Sequence, residues 1–269
     1  MRNFAINTAI EAGKILQDYF GRKFTVSHKG QIDLVTEVDL LSEKYIKEQI
    51  ASHYPKHQIL AEEGGFTAAA SDYRWIVDPL DGTTNYAHGY PIFCVSIALE
   101  QAGKLVLGVV YDPTRDELFV AEVGVGSTLN NRPIHVSETA LLKDALLVTG
   151  FPYDIKTTQK NNLNYFSRFA LTARAVRRSG SAALDLCYTA AGRFDGFWEM
   201  HLGSWDAAAG VLIVKEAGGH SSRFDGSDFE LYTPKSGTME ILSTNKLIHQ
   251  DMIKVLADGF VLAENSLVV

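Results

Sequence analysis

Apolar residues recur at three- and four-residue steps over residues 4–20, at Ile6, Ala9, Ile10, Gly13, Leu16 and Phe20. That period predicts an amphipathic helix, and Gly21 stands where a helix terminates. A second helical pattern covers residues 38–50, with Leu41, Tyr45 and Ile46 on one side, and ends before Pro55. Residues 59–61 form a short apolar run that enters Glu62-Glu63-Gly64-Gly65. Trp75, Ile76 and Val77 predict a buried strand that ends at a turn carrying Asp78 and Asp81. Over 92–136 the pattern becomes strand-like: 93–100, 105–111, 117–122 and a piece near 132–136 are divided by Ala102-Gly103, Asp112-Pro113, 124–126 and Asn130-Asn131. Closely spaced strands with short turns predict an antiparallel meander.

Beyond Leu142 strands and helices alternate. Strands are expected at 145–149, 175–177, 194–199 and 240–243, and helices at 161–171, 181–191, 205–217 and 247–257. The change from meander to alternation predicts two subdomains, 1–142 and 143–269, each a sheet covered by helices. The apolar residues 261–269 are too few to span a bilayer and could dock or fray.

Composition narrows the classes. With 46% hydrophobic and 21% charged residues, the chain reads as an ordinary globular protein. No apolar run approaches the roughly 20 residues of a membrane helix. Residues 1–11 lack the apolar stretch of a signal peptide, so a cytoplasmic protein is expected. The net charge of −7 argues against a broad nucleic-acid face. Cys94 and Cys187 are far apart in apolar contexts and read as buried free thiols.

The candidate chemistry lies in acidic motifs. In Asp78-Pro-Leu-Asp-Gly-Thr-Thr-Asn85, two carboxylates spaced three apart are followed by a glycine and two hydroxyls. Hard oxygen ligands beside a helix start that can cradle an anion point to metal-assisted phosphate chemistry. Taken singly, each acid has a plainer role: Asp81 a turn cap, Glu62 an exposed loop, and Asp39 and Asp206 helix caps. Their convergence carries the argument.

Four segments together resemble the inositol monophosphatase family. Asp78-Pro-Leu-Asp-Gly-Thr-Thr-Asn85 is similar to its first signature, and Trp205-Asp-Ala-Ala-Ala-Gly210, continuing to Glu216-Ala-Gly-Gly219, to its second. Asp33-Leu-Val-Thr-Glu-Val-Asp39 and Glu62-Glu63 match two more motifs, in the family's order. The resemblance runs from the first helix to about residue 257. It implies an α+β fold, the layered αβαβα sandwich of the inositol monophosphatase and fructose-1,6-bisphosphatase type. In that fold an antiparallel meander occupies the first half and a mixed sheet the second. It also implies a site with two to three Mg²⁺ ions. Glu62, Asp78 and the Leu80 carbonyl would hold one. Asp78, Asp81 and Asp206 would hold a second, and Glu62 a looser third through water. Thr83, paired with Asp39, would orient the attacking water, and the amides of Gly82 and Thr83 would bind phosphate. Glu199 would read sugar hydroxyls, with Gly180, Ser181 and Ala182 lining the same pocket.

The implied activity is hydrolysis of a polyol phosphate monoester, inositol 1-phosphate first. Fructose 1,6-bisphosphate, histidinol phosphate and 3′-phosphoadenosine 5′-phosphate are alternatives. Lithium sensitivity and a homodimer follow from the same resemblance. Arg174, Arg177 and Arg178 form a basic patch that would serve a second phosphate, a subunit contact or only solvent. Lys29 matches a family lysine with a spacing one residue short. The eight histidines show no metal-ligand spacing, and His88 reads as loop structure. Ser179-Gly-Ser181 lacks the Gly-x-Ser-x-Gly frame of a hydrolase elbow. An aspartyl-phosphate mechanism fails because Pro79 stands two before Asp81, where its nucleophile belongs. A non-enzymatic partner of the transcription machinery is the remaining alternative.

Overall fold

The computed structural model describes residues 1–22, 25–28, 34–229 and 238–257. Asp33, Lys29 and the 261–269 segment lie outside the described residues. In chain order the first half comprises α1 (Arg2–Tyr19), β1 (Val26–His28), β2 (Leu34–Thr36), α2 (Glu37–His53), β3 (Gln58–Ala61), β4 (Gly65–Thr67), β5 (Tyr73–Asp81) and α3 (Thr83–Ala87). The meander follows: β6 (Cys94–Gln101), β7 (Lys104–Asp112), β8 (Glu117–Glu122), β9 (Gly126–Leu129) and β10 (Arg132–Pro133). The second half holds β11 (Leu146–Thr149), α4 (Leu163–Thr172), β12 (Ala175–Arg177), α5 (Ala182–Ala190), β13 (Gly196–Leu202), α6 (Ser204–Glu216), β14 (His220–Ser222), β15 (Met239–Thr244) and α7 (His249–Ala257).

Strands β3 to β10 form an eight-stranded sheet in the order β10-β9-β8-β7-β6-β5-β3-β4. From β5 to β10 it is antiparallel, as the short turns require, whereas β3 runs parallel to β5, the chain returning between them through β4, which pairs antiparallel on the outer side of β3. A five-stranded mixed sheet has the order β12-β11-β13-β15-β14.

Strand periodicity sorts the core into layers. Trp75, Val77, Val95, Ile97, Leu107 and Val109 face α1 and α2, meeting Ala5, Ala9, Leu16, Ile46 and Ile50. Their neighbours Ile76, Cys94, Ala98 and Val110 face the opposite way, onto α5 and α6. The same two helices also bury Val148, Phe197 and Ile241 of the second sheet. Leu147, Trp198 and Leu242 then turn outward to Phe169 of α4 and Met252 and Leu256 of α7. The result is a five-layer αβαβα sandwich whose middle helices serve both sheets. Such a helix must be apolar all round, and α5 is buried at every residue.

Helix faces differ in detail from the expected ones. The buried face of α1 is built from Ala5, Thr8, Ala9, Ala12, Gly13 and Leu16, with Ile6 and Ile10 only half-buried at its margin. In α2 Leu41 is exposed, and Val38, Ser42, Ile46 and Ile50 turn inward together with Asp39 and Glu43. Among the described residues no helix is long and apolar enough to cross a membrane.

Candidate active site

The strand β5 does not stop at Asp78, as the sequence suggests, but runs on to Asp81 across a register shift. The shift brackets Pro79, which has no N–H to give to the ladder, and leaves Asp78 opposite Ser96 and Asp81 opposite Cys94. The Leu80 amide donates to Asp78 Oδ1 at 3.0 Å. Ser42 of α2 donates to the Pro79 carbonyl at 2.8 Å and fixes the bulge from outside. Gly82 then takes φ +94°, a left-handed conformation, and a Cβ there would lie 2.8 Å from the Ile92 carbonyl oxygen. Only glycine fits, and the chain turns into α3.

Other elements bring their acids to the same place. Glu62 follows β3, and the next residue is tied down where Glu43 of α2 accepts the Glu63 amide at 2.9 Å. Asp39 is not the N-cap of α2: Thr36 holds that position, and Asp39, the third helical residue, completes the capping box by accepting the Thr36 amide at 2.9 Å, but it has a further partner. Its Oδ1 lies 3.0 Å from the Thr83 hydroxyl, which is also 3.1 Å from the Leu80 carbonyl oxygen. Asp206 is not the N-cap of α6. Gly203 holds that position, and Asp206, the third helical residue, accepts the Gly203 amide at 2.6 Å. Asp81 Oδ2 accepts the Ser181 hydroxyl at 2.5 Å and the Ala183 amide at 2.8 Å, with Cys94 Sγ at 3.8 Å. Both middle helices therefore direct their N-termini at the acids, where their dipoles favour negative charge.

Carboxylate oxygens of Asp78, Asp81 and Asp206 lie within 4.8 Å of one another. They wall a cavity of about 360 Å³ together with Glu62, Leu80, Gly82 and Thr83. Burial first, then the charges of Glu62, Asp81 and Asp206, push Asp78 well above the usual carboxylate range. Asp206 is raised by burial and by Glu62 and Asp81. Burial also raises Asp81, against the pull of its bonds to Ser181 and Ala183. Such a cluster is unfavourable alone and well suited to a cation. Each aspartate accepts a backbone amide, which fixes its carboxylate in place beside the cavity.

Comparison with known proteins agrees with this geometry. A model of the inositol monophosphatase family matches residues 1–258. The chain belongs to that family. It is 46% identical to an inositol-1-monophosphatase of Synechocystis sp. over 94% of this chain and 87% of the relative. It is 45% identical to the Nus factor SuhB of Pseudomonas aeruginosa, over 84% and 86% of the two chains. The solved inositol monophosphatase of Anabaena (Nostoc) sp. PCC 7120 superposes with a TM-score of 0.87 at 44% identity, covering 97% of this chain and 96% of that one. An inositol monophosphatase is a phosphoric monoester hydrolase, and metal dependence belongs to the family.

An adjoining cavity contains Gly180, Ser181, Ala182 and Glu199, together with Arg178, Asp185 and His201. Glu199 lies against Gly150, where a Cβ would collide with its carboxylate. The Ser181 hydroxyl is engaged by Asp81 and caps α5, accepting the Leu184 amide at 3.4 Å. Of the basic patch, Arg178 lines this cavity and Arg174 pairs with Asp144 at 2.9 Å. Both cysteines are buried and free. Asp185 and His201 escaped sequence reasoning. The first sits inside a helical pattern, and the second belongs to a scattered set of histidines without ligand spacing.

Proposed function

We propose that this phosphatase hydrolyses a polyol phosphate monoester, inositol 1-phosphate first, with Mg²⁺ as its cofactor. The observation that carries the reading is the meeting of Asp78, Asp81 and Asp206, from β5 and α6, within 4.8 Å in one cavity. All-oxygen donors suit Mg²⁺ better than softer metals. Asp78, Asp81 and Asp206, with Glu62 and the Leu80 carbonyl, would hold two to three ions. When bound, the cations supply charge that readies water for attack and offsets charge on the departing oxygen.

The chain's own groups do the rest. Thr83, held against Asp39, orients the attacking water, and Asp39 is the group to take its proton; burial raises this carboxyl, against the Thr36 and Thr83 bonds. The amides of Gly82 and Thr83 receive phosphate oxygens. Glu199 accepts hydroxyls of the leaving group, beside Gly180, Ser181 and Ala182. We take the working form to be a cytoplasmic homodimer inhibited by lithium.

The test is a Mg²⁺-dependent assay over inositol 1-phosphate, fructose 1,6-bisphosphate, histidinol phosphate and 3′-phosphoadenosine 5′-phosphate. Inositol 1-phosphate is expected to give the highest kcat/KM, and chelation to abolish turnover. Asp81→Asn keeps the shape and removes the charge, so a loss of about 100- to 1,000-fold in kcat is expected. Full turnover by that variant, or by metal-stripped protein, defeats the assignment.

A second reading has one observation in its favour, the 45% identity to a protein named as a Nus factor. A role beside the transcription machinery would add to catalysis, since the carboxylates are retained. Affinity capture of polymerase subunits by a protein inactive on every sugar phosphate would favour it over the enzyme.

A further inference from the structure

We infer that His201 is a specificity-determining residue, hydrogen-bonding a hydroxyl of the leaving group. The inference rests on the phosphomonoesterase reading and adds a residue that the family motifs do not include.

The backbone is the first observation. His201 has φ +64°, in the left-handed region that favours glycine. It is the extra residue of a β-bulge: Met200 pairs with Glu240 and Leu202 with Met239, leaving His201 without a partner on β15. A bulge re-aims a side chain, and a non-glycine residue held at positive φ is a strain that the surroundings must sustain.

The second observation is where the bulge puts it. His201 lines both the carboxylate cavity and the adjoining one, on the chain between Glu199 and Asp206. Its side chain is 31% exposed, with Nδ1 3.5 Å from Asp154 Oδ1. Among the described residues no hydrogen bond to Nε2 is formed. Asp154 thus takes one edge of the ring, and the other is available to a ligand.

The chemistry of the adjoining cavity says which ligand. Glu199 and Asp185 offer carboxylate oxygens and Arg178 offers N–H groups, while His201, its Nδ1–H turned to Asp154, offers Nε2 as an acceptor when neutral. Acceptors and donors mixed in one pocket match a group with several hydroxyls, each of which both gives and takes a hydrogen bond. An aryl leaving group has no hydroxyl to offer.

The test compares inositol 1-phosphate with p-nitrophenyl phosphate, using the full-length Mg²⁺-loaded chain and its His201→Gly and His201→Asn variants. Glycine is at home at this φ, so His201→Gly is expected to keep Tm within about 3 °C of the parent. Its KM for inositol 1-phosphate should rise about tenfold with kcat little changed, while p-nitrophenyl phosphate is turned over within about twofold of the parent rate. Asparagine also tolerates the left-handed region, and its side-chain amide can accept as well as donate, so His201→Asn should recover most of the loss. If His201→Gly lowers Tm further, the comparison passes to Asp154→Ala, whose side chain is 53% exposed. A rise in KM confined to inositol 1-phosphate is again expected. Equal effects on the two substrates, or none on either, overturn the inference. A parent protein inactive on both substrates with Mg²⁺ overturns the reading on which it rests.

Discussion

The Asp81 carboxylate serves two unlike tasks. Oδ2 is held by Ser181, by the Ala183 amide and weakly by Cys94, all supplied by other elements. The same carboxylate lines the acidic cavity with Asp78 and Asp206. A carboxylate clamped at one oxygen loses little freedom when it meets a ligand, so its partners tune affinity without touching the cation. Ser181→Ala removes one clamp together with the N-cap bond to the Leu184 amide, so a loss of about 1 kcal/mol in stability is expected beside the change in affinity. Mg²⁺ affinity, read by calorimetry, is expected to weaken roughly tenfold. An unchanged affinity would mean that the remaining bonds, chiefly the Ala183 amide, suffice to orient Asp81.

At the level of elements, the sequence was most readable where pattern and chemistry coincide. The apolar run into Asp78 marked β5, and its side chains alternate between two helical layers. Five short strands, β1, β2, β4, β9 and β14, were not predicted, because each has only three or four residues and no regular apolar alternation. The acids of the site were legible by type. Their exact service was not: Asp206 acts from the third position of α6, and Asp39 joins Thr83 to a capping box, facts that depend on distant contacts. At α7 the opening residue acts as a fastener. His249 is 2% exposed, with Nε2 at 2.9 Å from Ser222 of β14 and Nδ1 at 2.9 Å from Thr244 of β15. Burial first, then His220, depress this imidazole from 6.5 to about 4. Its stabilisation is full above pH 6.5 and is lost as pH falls toward 4, a change of about 3 kcal/mol. Urea titrations should find that His249→Asn, though less stable at pH 7, loses less stability over that interval. Parallel pH slopes would exclude His249 as the cause.

For the molecule as a whole, the cation and the fold are linked. Without metal, the raised carboxylates favour the native state at low pH, and that advantage fades as rising pH ionises them. Mg²⁺ must compete with the same protons, so its effect grows with pH. At about 100 times Kd one bound ion is worth about 2.7 kcal/mol, or a Tm gain of roughly 5 °C. Calorimetry should find the gain larger at pH 8 than at pH 5, and the reverse order would show that the cluster is not the binding site. The shared middle layer bears on a different kind of experiment. Since α5 and α6 come from the second half yet cover Ile76, Ala98 and Val110 of the first sheet, neither half has a complete interior of its own. We propose that a gene divided after residue 142 yields two pieces that precipitate when expressed singly and regain phosphatase activity only when expressed together, a ready-made complementation pair.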